Sequence, residues 1–266
     1  MQFIKLFNQL GINDVPSVGG KNASLGEMYV SLTQHGVKVP NGFATTAQAY
    51  RYYLERNQLN NKIAQALQQL DTRDVQALAK TGAQIRQWII EADMPPDLAA
   101  EIVAAYHLME SEYGANPDVA VRSSATAEDL PNASFAGQQE TYLNIKGSEQ
   151  LLTICKRVFA SLFTDRAISY RVDKGFAHMD VALSIGVQKM VRSDLATSGV
   201  MFTLDPDSGH NGVIHISSSY GLGELVVQGS VSPDHFTVWK EGLRNGHQAI
   251  VHRHLGAKDI AMVYGG

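Results

Sequence analysis

The hydrophobic pattern of this chain changes from helical to strand-like near Val119, and that change constrains its fold more than any other feature. Before this point, apolar residues recur at helical spacing and predict helices near 46–56, 60–70, 72–92 and 98–113. The pattern also predicts a turn at 39–42, and it places Val75 on the inward face of the third helix. After the change near Val119, the pattern predicts strands at 118–123, 140–145, 181–191, 198–204, 212–217 and 235–239, with a helix over 148–163. Because strict β-α-β alternation is lacking, the sequence predicts an α+β fold with a mainly helical N-terminal part.

The segment 121–141 has the composition of a loop that closes over a polyphosphate. It places Arg122 near the end of a predicted strand and follows it with the hydroxyl side chains of Ser123 and Ser124. A guanidinium can hold a phosphate through two parallel hydrogen bonds, and hydroxyl groups can add further contacts to the anion. Arg122 is therefore the strongest single candidate for anion binding.

Two further residues of the same segment fit this interpretation. Gly137 lies where a loop tip can approach phosphate oxygens without a Cβ, and Thr141 begins the next predicted strand. The alternative is structural, because Arg122 can instead form an ion pair with Glu128 or Asp129. The sequence leaves both possibilities open.

A second candidate phosphate element lies upstream at Lys21, which follows two glycines. Ser24 and Glu27 have the spacing of a capping box, so the sequence predicts a helix that begins at Ser24 just after Lys21. The free N–H groups of a helix N-terminus favour anions. The pattern is not a Walker A loop, since Val15 replaces its first glycine and Asn22 its hydroxyl residue. A surface lysine beside a capped helix is the alternative.

The predicted strand 181–191 carries small side chains on one face. Alternation places Ala182, Ser184 and Gly186 on that face, followed by Gln188. Small side chains leave room for a flat ligand against the sheet, and the Gln188 amide can bond a base or ribose edge. A polar residue on the exposed face of a strand is the commoner interpretation of Gln188.

Other candidate residues are weaker. Glu224 follows a glycine pair that lacks the third glycine of a dinucleotide fingerprint, so a ligand-facing and a structural role are equally open. The segment 252–254 alternates like a strand, and no zinc site is completed around its histidines. No metal ligand is assigned.

Composition excludes several classes of function. A formal net charge of -4 gives no electrostatic case for nucleic acid or an anionic membrane. No apolar run approaches the roughly 20 residues of a membrane span, and the N-terminus does not resemble a signal peptide. Cys155 is the only cysteine and lies at helical spacing among apolar residues, which predicts a buried thiol and a cytoplasmic protein.

Five segments carry a resemblance to a known family. They are VGGKNASLGEM (18–28), VPNGFATTAQAY (39–50), AVRSSATAEDLPNASFAGQQETYLNI (120–145), GVMFTLDPDSG (199–209) and GLGELVVQGSVSPD (221–234). In this order they resemble the N-terminal ATP-binding domain of the phosphoenolpyruvate synthases, also called pyruvate, water dikinases. Pyruvate phosphate dikinases and rifampin phosphotransferases share the motifs less closely.

The resemblance implies an ATP-grasp type nucleotide-binding domain over residues 1–266, with ATP between two lobes. Position by position, Lys21 and Arg122 resemble the phosphate-binding cations, Gly137 and Thr141 the closing loop, and Gln188 a nucleotide-contacting strand residue. The family reaction converts ATP, pyruvate and water to AMP, phosphoenolpyruvate and phosphate through a phosphohistidine, as a step in making sugars from pyruvate.

The resemblance also implies partners outside this sequence. The swivelling histidine domain, the pyruvate domain and the acidic segment that holds Mg²⁺ are expected beyond its last residue. None of the nine histidines is then the phosphocarrier, and the chain alone is expected not to complete the reaction. A rifampin phosphotransferase-like ATP domain and a non-catalytic nucleotide-binding protein are the alternatives.

Overall fold

The computed structural model describes residues 2–126 and 141–264, and the backbone alone at 129–130 and 133–134. The chain divides into two compact units, Met1–Met190 and Val191–Gly266. In the part of the chain that is described, no helix has both the length and the apolar character needed to cross a membrane.

The first unit combines a sheet with helices. Its α-helices are α1 (Val15–Thr33), α2 (Ala47–Arg56), α3 (Leu59–Gln68), α4 (Val75–Glu91), α5 (Pro96–Tyr113), α6 (Ser148–Ala160) and α7 (Asp165–Asp173). Its strands are β1 (Ile4–Leu6), β2 (Gly42–Thr45), β3 (Val119–Ala125), β4 (Asp129–Leu130), β5 (Ala133–Ser134), β6 (Thr141–Ile145) and β7 (Leu183–Lys189). Five of these strands form an antiparallel sheet in the order β1-β2-β7-β3-β6, and β4 pairs with β5 separately.

The two faces of the five-stranded sheet carry different kinds of side chain. Alternate residues of β3 and β7, such as Val121 and Ile185, are fully buried in a large core shared with α2 to α6. The opposite face packs against α1 through a smaller cluster that includes Val18, Ala23 and Ala44. Since side chains alternate along a strand, Ser184, Gly186 and Gln188 of β7 and Ala120, Arg122 and Ser124 of β3 lie on the α1 face.

The second unit is a four-stranded antiparallel sheet with short helices. Its strands β8 (Thr197–Phe202), β9 (Val213–Tyr220), β10 (Asp234–Trp239) and β11 (Ile250–His254) pair in the order β11-β10-β9-β8. The helices α8 (Glu224–Val227) and α9 (Lys240–Arg244) lie in the connections. The predicted strands of this region, including the alternating histidine segment, are confirmed.

The predicted α+β class is confirmed, with three corrections of detail. The N-terminal part contains two strands as well as helices. The sequence did not predict β1 and β2, because they have only three and four residues and are too short to show a period. The turn expected at 39–42 ends in β2, which begins at Gly42. Val75, predicted to point inward, is 73% exposed because it is the first residue of α4, outside the contact with the core.

The prediction of a buried structural thiol is also confirmed. Cys155 lies on α6 and is fully buried in the large core. Burial raises the pKa of its thiol to about 12, so it stays protonated at neutral pH and is a poor nucleophile.

Candidate functional site

A cleft of about 540 Å³ lies between α1 and the sheet of the first unit. Its size falls within the range of small-molecule sites. The residues that line it are Ile12, Val15, Gly20, Lys21, Asn22, Ser24, Leu25, Met28, Arg122, Ser123, Gly186 and Gln188. One cleft is therefore lined by four predicted site residues from three distant segments: Lys21, Arg122, Ser123 and Gln188.

The predicted start of the first helix is wrong, and the structure gives the reason. Helix α1 begins at Val15, with Pro16 in its first turn, so Ser24 lies inside the helix and is no cap. Glu27 does not close a capping box either; its Oε2 accepts a hydrogen bond from the N–H of Ile12 at 3.2 Å. Sequence spacing alone cannot distinguish a cap from a helix interior.

A break inside α1 nevertheless places Lys21 at the start of a helical segment. Gly19 has φ 74° and ψ 163°, a conformation outside the helical region that divides α1 in two. Only glycine fits there, since a Cβ would lie 2.7 Å from the carbonyl oxygen of Ser124 and 2.8 Å from that of Ala125. Lys21 thus lies in the first turn after the break, where backbone N–H groups favour anions.

Arg122 projects from β3 towards the same cleft. The protein around it lowers the pKa of its guanidinium by desolvation, although the residue remains exposed to solvent. Its side chain makes no hydrogen bond or ion pair to another residue described by the structure. A partly desolvated cation without a described counter-charge is stabilised by any anion that enters the cleft.

The proposed structural alternative for Arg122 stays open. Glu128 lies outside the described residues, and so does the side chain of Asp129. Gly137, the expected loop tip, also lies outside them. Thr141 is described: it pairs with Arg122 across β3 and β6, so both side chains stand next to each other on the same face of the sheet.

The two serines after Arg122 differ in their surroundings. Ser123 is buried and borders the cleft. Ser124 is also buried, and its Oγ accepts a hydrogen bond from the backbone N–H of Asn22 at 3.4 Å. The Ser124 hydroxyl is therefore engaged with α1, and the residue is not among those that line the cleft.

Gln188 borders the cleft at the far end of β7. Its Nε2 donates a hydrogen bond to the carbonyl oxygen of Pro40 at 3.1 Å, which fixes the amide orientation. With Nε2 engaged, Oε1 is the group of the amide that remains to accept a hydrogen bond. The flat surface of small side chains next to Gln188 is smaller than predicted. Of these small residues only Gly186 borders the cleft, because Asn22 covers Ser184.

The apolar wall of the cleft was not identified from the sequence. Ile12, Val15, Leu25 and Met28 form it, and Met28 is 41% exposed. Ile12 and Met28 are exposed beside the cleft, whereas Val15 and Leu25 border the cleft and also pack against the smaller core cluster. Exposed apolar residues next to fixed cations suit a ligand with a flat apolar part and an anionic part.

Short polar contacts hold this wall in place. Lys5 on β1 forms an ion pair of 2.6 Å with Asp14, just before α1, and this contact lowers the pKa of the Asp14 carboxyl. Asp14 also accepts a hydrogen bond from the N–H of Gly11 at 3.0 Å. These bonds fix the turn that presents Ile12.

Glu224 belongs to the second unit, where it is the first residue of α8. Its Oε1 accepts a hydrogen bond from Nε2 of Gln228 at 2.8 Å, a contact within one helical turn. Among residues 2–126 and 141–264, no group of three or more histidine, cysteine or acidic side chains is arranged to hold a metal ion.

Comparison with known proteins places the chain in a family. Residues 15–266 match the profile of the pyruvate phosphate dikinase, AMP/ATP-binding domain. The chain belongs to this family. The resemblance stated from its motifs is thereby confirmed, because the match covers nearly the whole chain.

Individual relatives agree with the family assignment. The chain is 58% identical over 265 residues to a phosphoenolpyruvate synthase of Pseudomonas aeruginosa, covering 100% of the chain and 33% of the relative. It is 57% identical over 258 residues to that of Escherichia coli, covering 97% and 32% respectively. For the phosphoenolpyruvate synthase of Helicobacter pylori the identity is 50% over 265 residues, covering 99% and 33%. The chain spans about a third of the length of these curated relatives.

Proposed function

We propose that the cleft of the first unit binds ATP, with the phosphates at Lys21 and Arg122 and the base against the apolar wall. The observation that carries this proposal is the convergence of two cations from distant segments on one cleft that also has an apolar side. The family match to an AMP/ATP-binding domain supports it independently. In this proposal residues 1–266 are an ATP-grasp type nucleotide-binding domain.

The remaining predicted residues have secondary roles in this proposal. Gln188 offers Oε1 to the nucleotide, and Thr141 stands beside Arg122. Gly137 belongs to the loop that closes over the phosphates, and Ser123 borders the cleft next to Arg122. Ser124 acts through α1 and does not touch the ligand, because its hydroxyl accepts the Asn22 N–H.

The activity proposed for the whole protein is that of a phosphoenolpyruvate synthase. It converts ATP, pyruvate and water to AMP, phosphoenolpyruvate and phosphate, through a phosphohistidine on a swivelling domain and a separate pyruvate domain. The relatives named above carry this name, which favours it over a rifampin phosphotransferase. Mg²⁺ is the expected companion of ATP in this proposal.

Calorimetric titration of ATP into the 266-residue chain, with and without Mg²⁺, tests the binding proposal. Replacing Arg122 by Ala removes a charged hydrogen-bond donor, and we expect the binding free energy to fall by about 2 kcal/mol. Arg73→Ala is the matched control, because Arg73 is exposed just before α4 and does not line the cleft. Equal affinity of the two variants, or no binding by the unaltered chain, would contradict the proposal.

A further inference from the structure

Asn22 is a buried polar residue whose contacts tie α1 to two strands of the sheet. It is only 2% exposed although it borders the cleft. Its backbone N–H donates to Oγ of Ser124 on β3, and its Nδ2 donates to Oγ of Ser184 on β7 at 2.8 Å. One residue thus contacts both strands that carry candidate ligand contacts, Arg122 on β3 and Gln188 on β7.

The hydrogen bonds of this group have a fixed direction. The Ser184 hydroxyl donates its single hydrogen to the carbonyl oxygen of Thr45 at 2.5 Å, so towards Asn22 it can only accept. The amide of Asn22 must then present Nδ2 to Ser184. Thr45 continues the network, since its Oγ1 accepts the N–H of Ile185 at 2.9 Å.

The backbone around Asn22 fits the sheet closely. A Cβ at Gly186 would collide with Oδ1 of Asn22, so the amide lies directly over the residue that pairs with Arg122. On the other side of Lys21, Gly19 lies against the carbonyl groups of Ser124 and Ala125. Lys21 is therefore flanked on both sides by residues that are held against the sheet.

We infer that Asn22 is a positioning residue that fixes Lys21 relative to Arg122, through its hydrogen bonds to Ser124 and Ser184. This inference rests on the proposed function, in which Lys21 and Arg122 hold the phosphates. A buried polar network holds one geometry where apolar packing would tolerate small shifts. Since cations act on a phosphate only at correct distance, loss of the network weakens binding without removing a charge.

A double-mutant cycle separates positioning from general stability. Ser184→Ala removes the acceptor of the Asn22 amide without replacing any side chain that lines the cleft. Ser161→Ala is the matched control, because Ser161 is a buried serine beyond α6 that donates one hydrogen bond to the carbonyl oxygen of Val158. Each is combined with Lys21→Ala, and ATP affinity and thermal unfolding are measured for all variants.

We expect Ser184→Ala to weaken ATP binding about fivefold. In the Ser184→Ala background, the loss of ATP affinity caused by Lys21→Ala should be about fivefold smaller than in the unaltered chain, a coupling typical of interacting sites. The Ser161→Ala cycle should be additive. Additivity in the Ser184 cycle, or equal coupling in both, would overturn the inference. If Ser184→Ala does not fold, Ser124→Ala provides a second cycle, since it removes the acceptor of the Asn22 N–H.

A measurement without ligand keeps this inference separate from the proposed function. Amide hydrogen exchange at Lys21 and Asn22 should be faster in Ser184→Ala than in Ser161→Ala, whether or not ATP binds. Unchanged exchange at both residues would contradict the positioning role. Faster exchange in a chain that binds no ATP would overturn the proposed function and support the structural link.

Discussion

The two faces of the five-stranded sheet are built from the same strands and have opposite chemistry. On one face β3 and β7 contribute β-branched side chains such as Val121, Ile185 and Val187, all fully buried against helices. On the other face the same strands present Arg122 and Gly186, which border the cleft. The difference shows that one face gives the unit its stability, whereas the other leaves volume and charge available for a ligand.

Two arginines, Arg171 and Arg122, differ in the same way as the two faces of the sheet. Arg171 of α7 is fully buried in the helical part, where its Nη1 donates to the carbonyl oxygen of Leu162 at 2.6 Å and its Nε to Nδ1 of His178 at 3.0 Å. Burial lowers the pKa of both arginines. The Arg171 guanidinium is hydrogen-bonded by the protein itself. The Arg122 side chain has no hydrogen-bond partner among the described residues, as expected of a cation that binds an anionic ligand.

The largest expected difference between the faces is in stability. Ile185→Ala on the packed face should lower the free energy of unfolding by about 3 kcal/mol, because it leaves a cavity in a filled core. Ile12→Ala, the same substitution in the exposed cleft wall, should lower it by less than about 1 kcal/mol. Urea unfolding of both variants measures the two values; similar losses would mean that the cleft wall is packed like a core.

The partly buried His178, next to Arg171, makes the packed side sensitive to acid. Burial, followed by the charge of Arg171, lowers the pKa of His178 from the ordinary 6.5 to about 4. Between these two pH values His178 is protonated in the unfolded chain but not in the folded chain. The free energy of unfolding therefore falls as the pH drops from about 6.5 towards 4. Allowing for the partial exposure of His178, we expect this contribution to reach about 2 kcal/mol.

The substitution His178→Gln tests this, since a glutamine does not titrate. Unfolding free energies measured between pH 7 and pH 4 should decline less steeply for the variant than for the unaltered chain. His35→Gln, at an exposed histidine after α1, is the control. Identical pH profiles for His178→Gln and the unaltered chain would exclude the titration of His178 as the source.

A smaller change in stability is expected from filling the cleft face. Gly186→Ala places a methyl group against the Asn22 amide, which should lower the free energy of unfolding by about 1 kcal/mol through overpacking and weaken ATP binding as well. Gly223→Ala is the control, because a Cβ there would meet only Ser198 atoms at 3.5 Å. Calorimetry with ATP that shows Gly186→Ala binding as tightly as the control would contradict the placement of the ligand on this face.

The packed face was readily predicted from the sequence, whereas the cleft was predicted only in part. Period-2 and helical patterns located β3, β6, β7 and α2 to α6, because burial on one side imposes a regular spacing. Lys21 and Arg122 were identified because charged residues beside glycines and hydroxyls are chemically distinctive. Local patterns report local geometry and the composition of a site.

What the sequence could not provide is the long-range register. The role of Asn22 depends on Ser124 and Ser184, which lie 102 and 162 residues away along the chain, and no local pattern connects them. The break at Gly19 depends likewise on the approach of β3. The apolar wall at Ile12 and Met28 has the appearance of an ordinary amphipathic stripe until the fold shows which side stays open.

The most direct test of the central claim is a crystal structure of the chain with a non-hydrolysable ATP analogue. We expect analogue density in the cleft between α1 and the sheet, with phosphate oxygens within hydrogen-bond distance of both Lys21 and Arg122 and the base against Ile12 and Met28. An analogue bound elsewhere, or in this cleft with its phosphates away from both cations, would contradict the account.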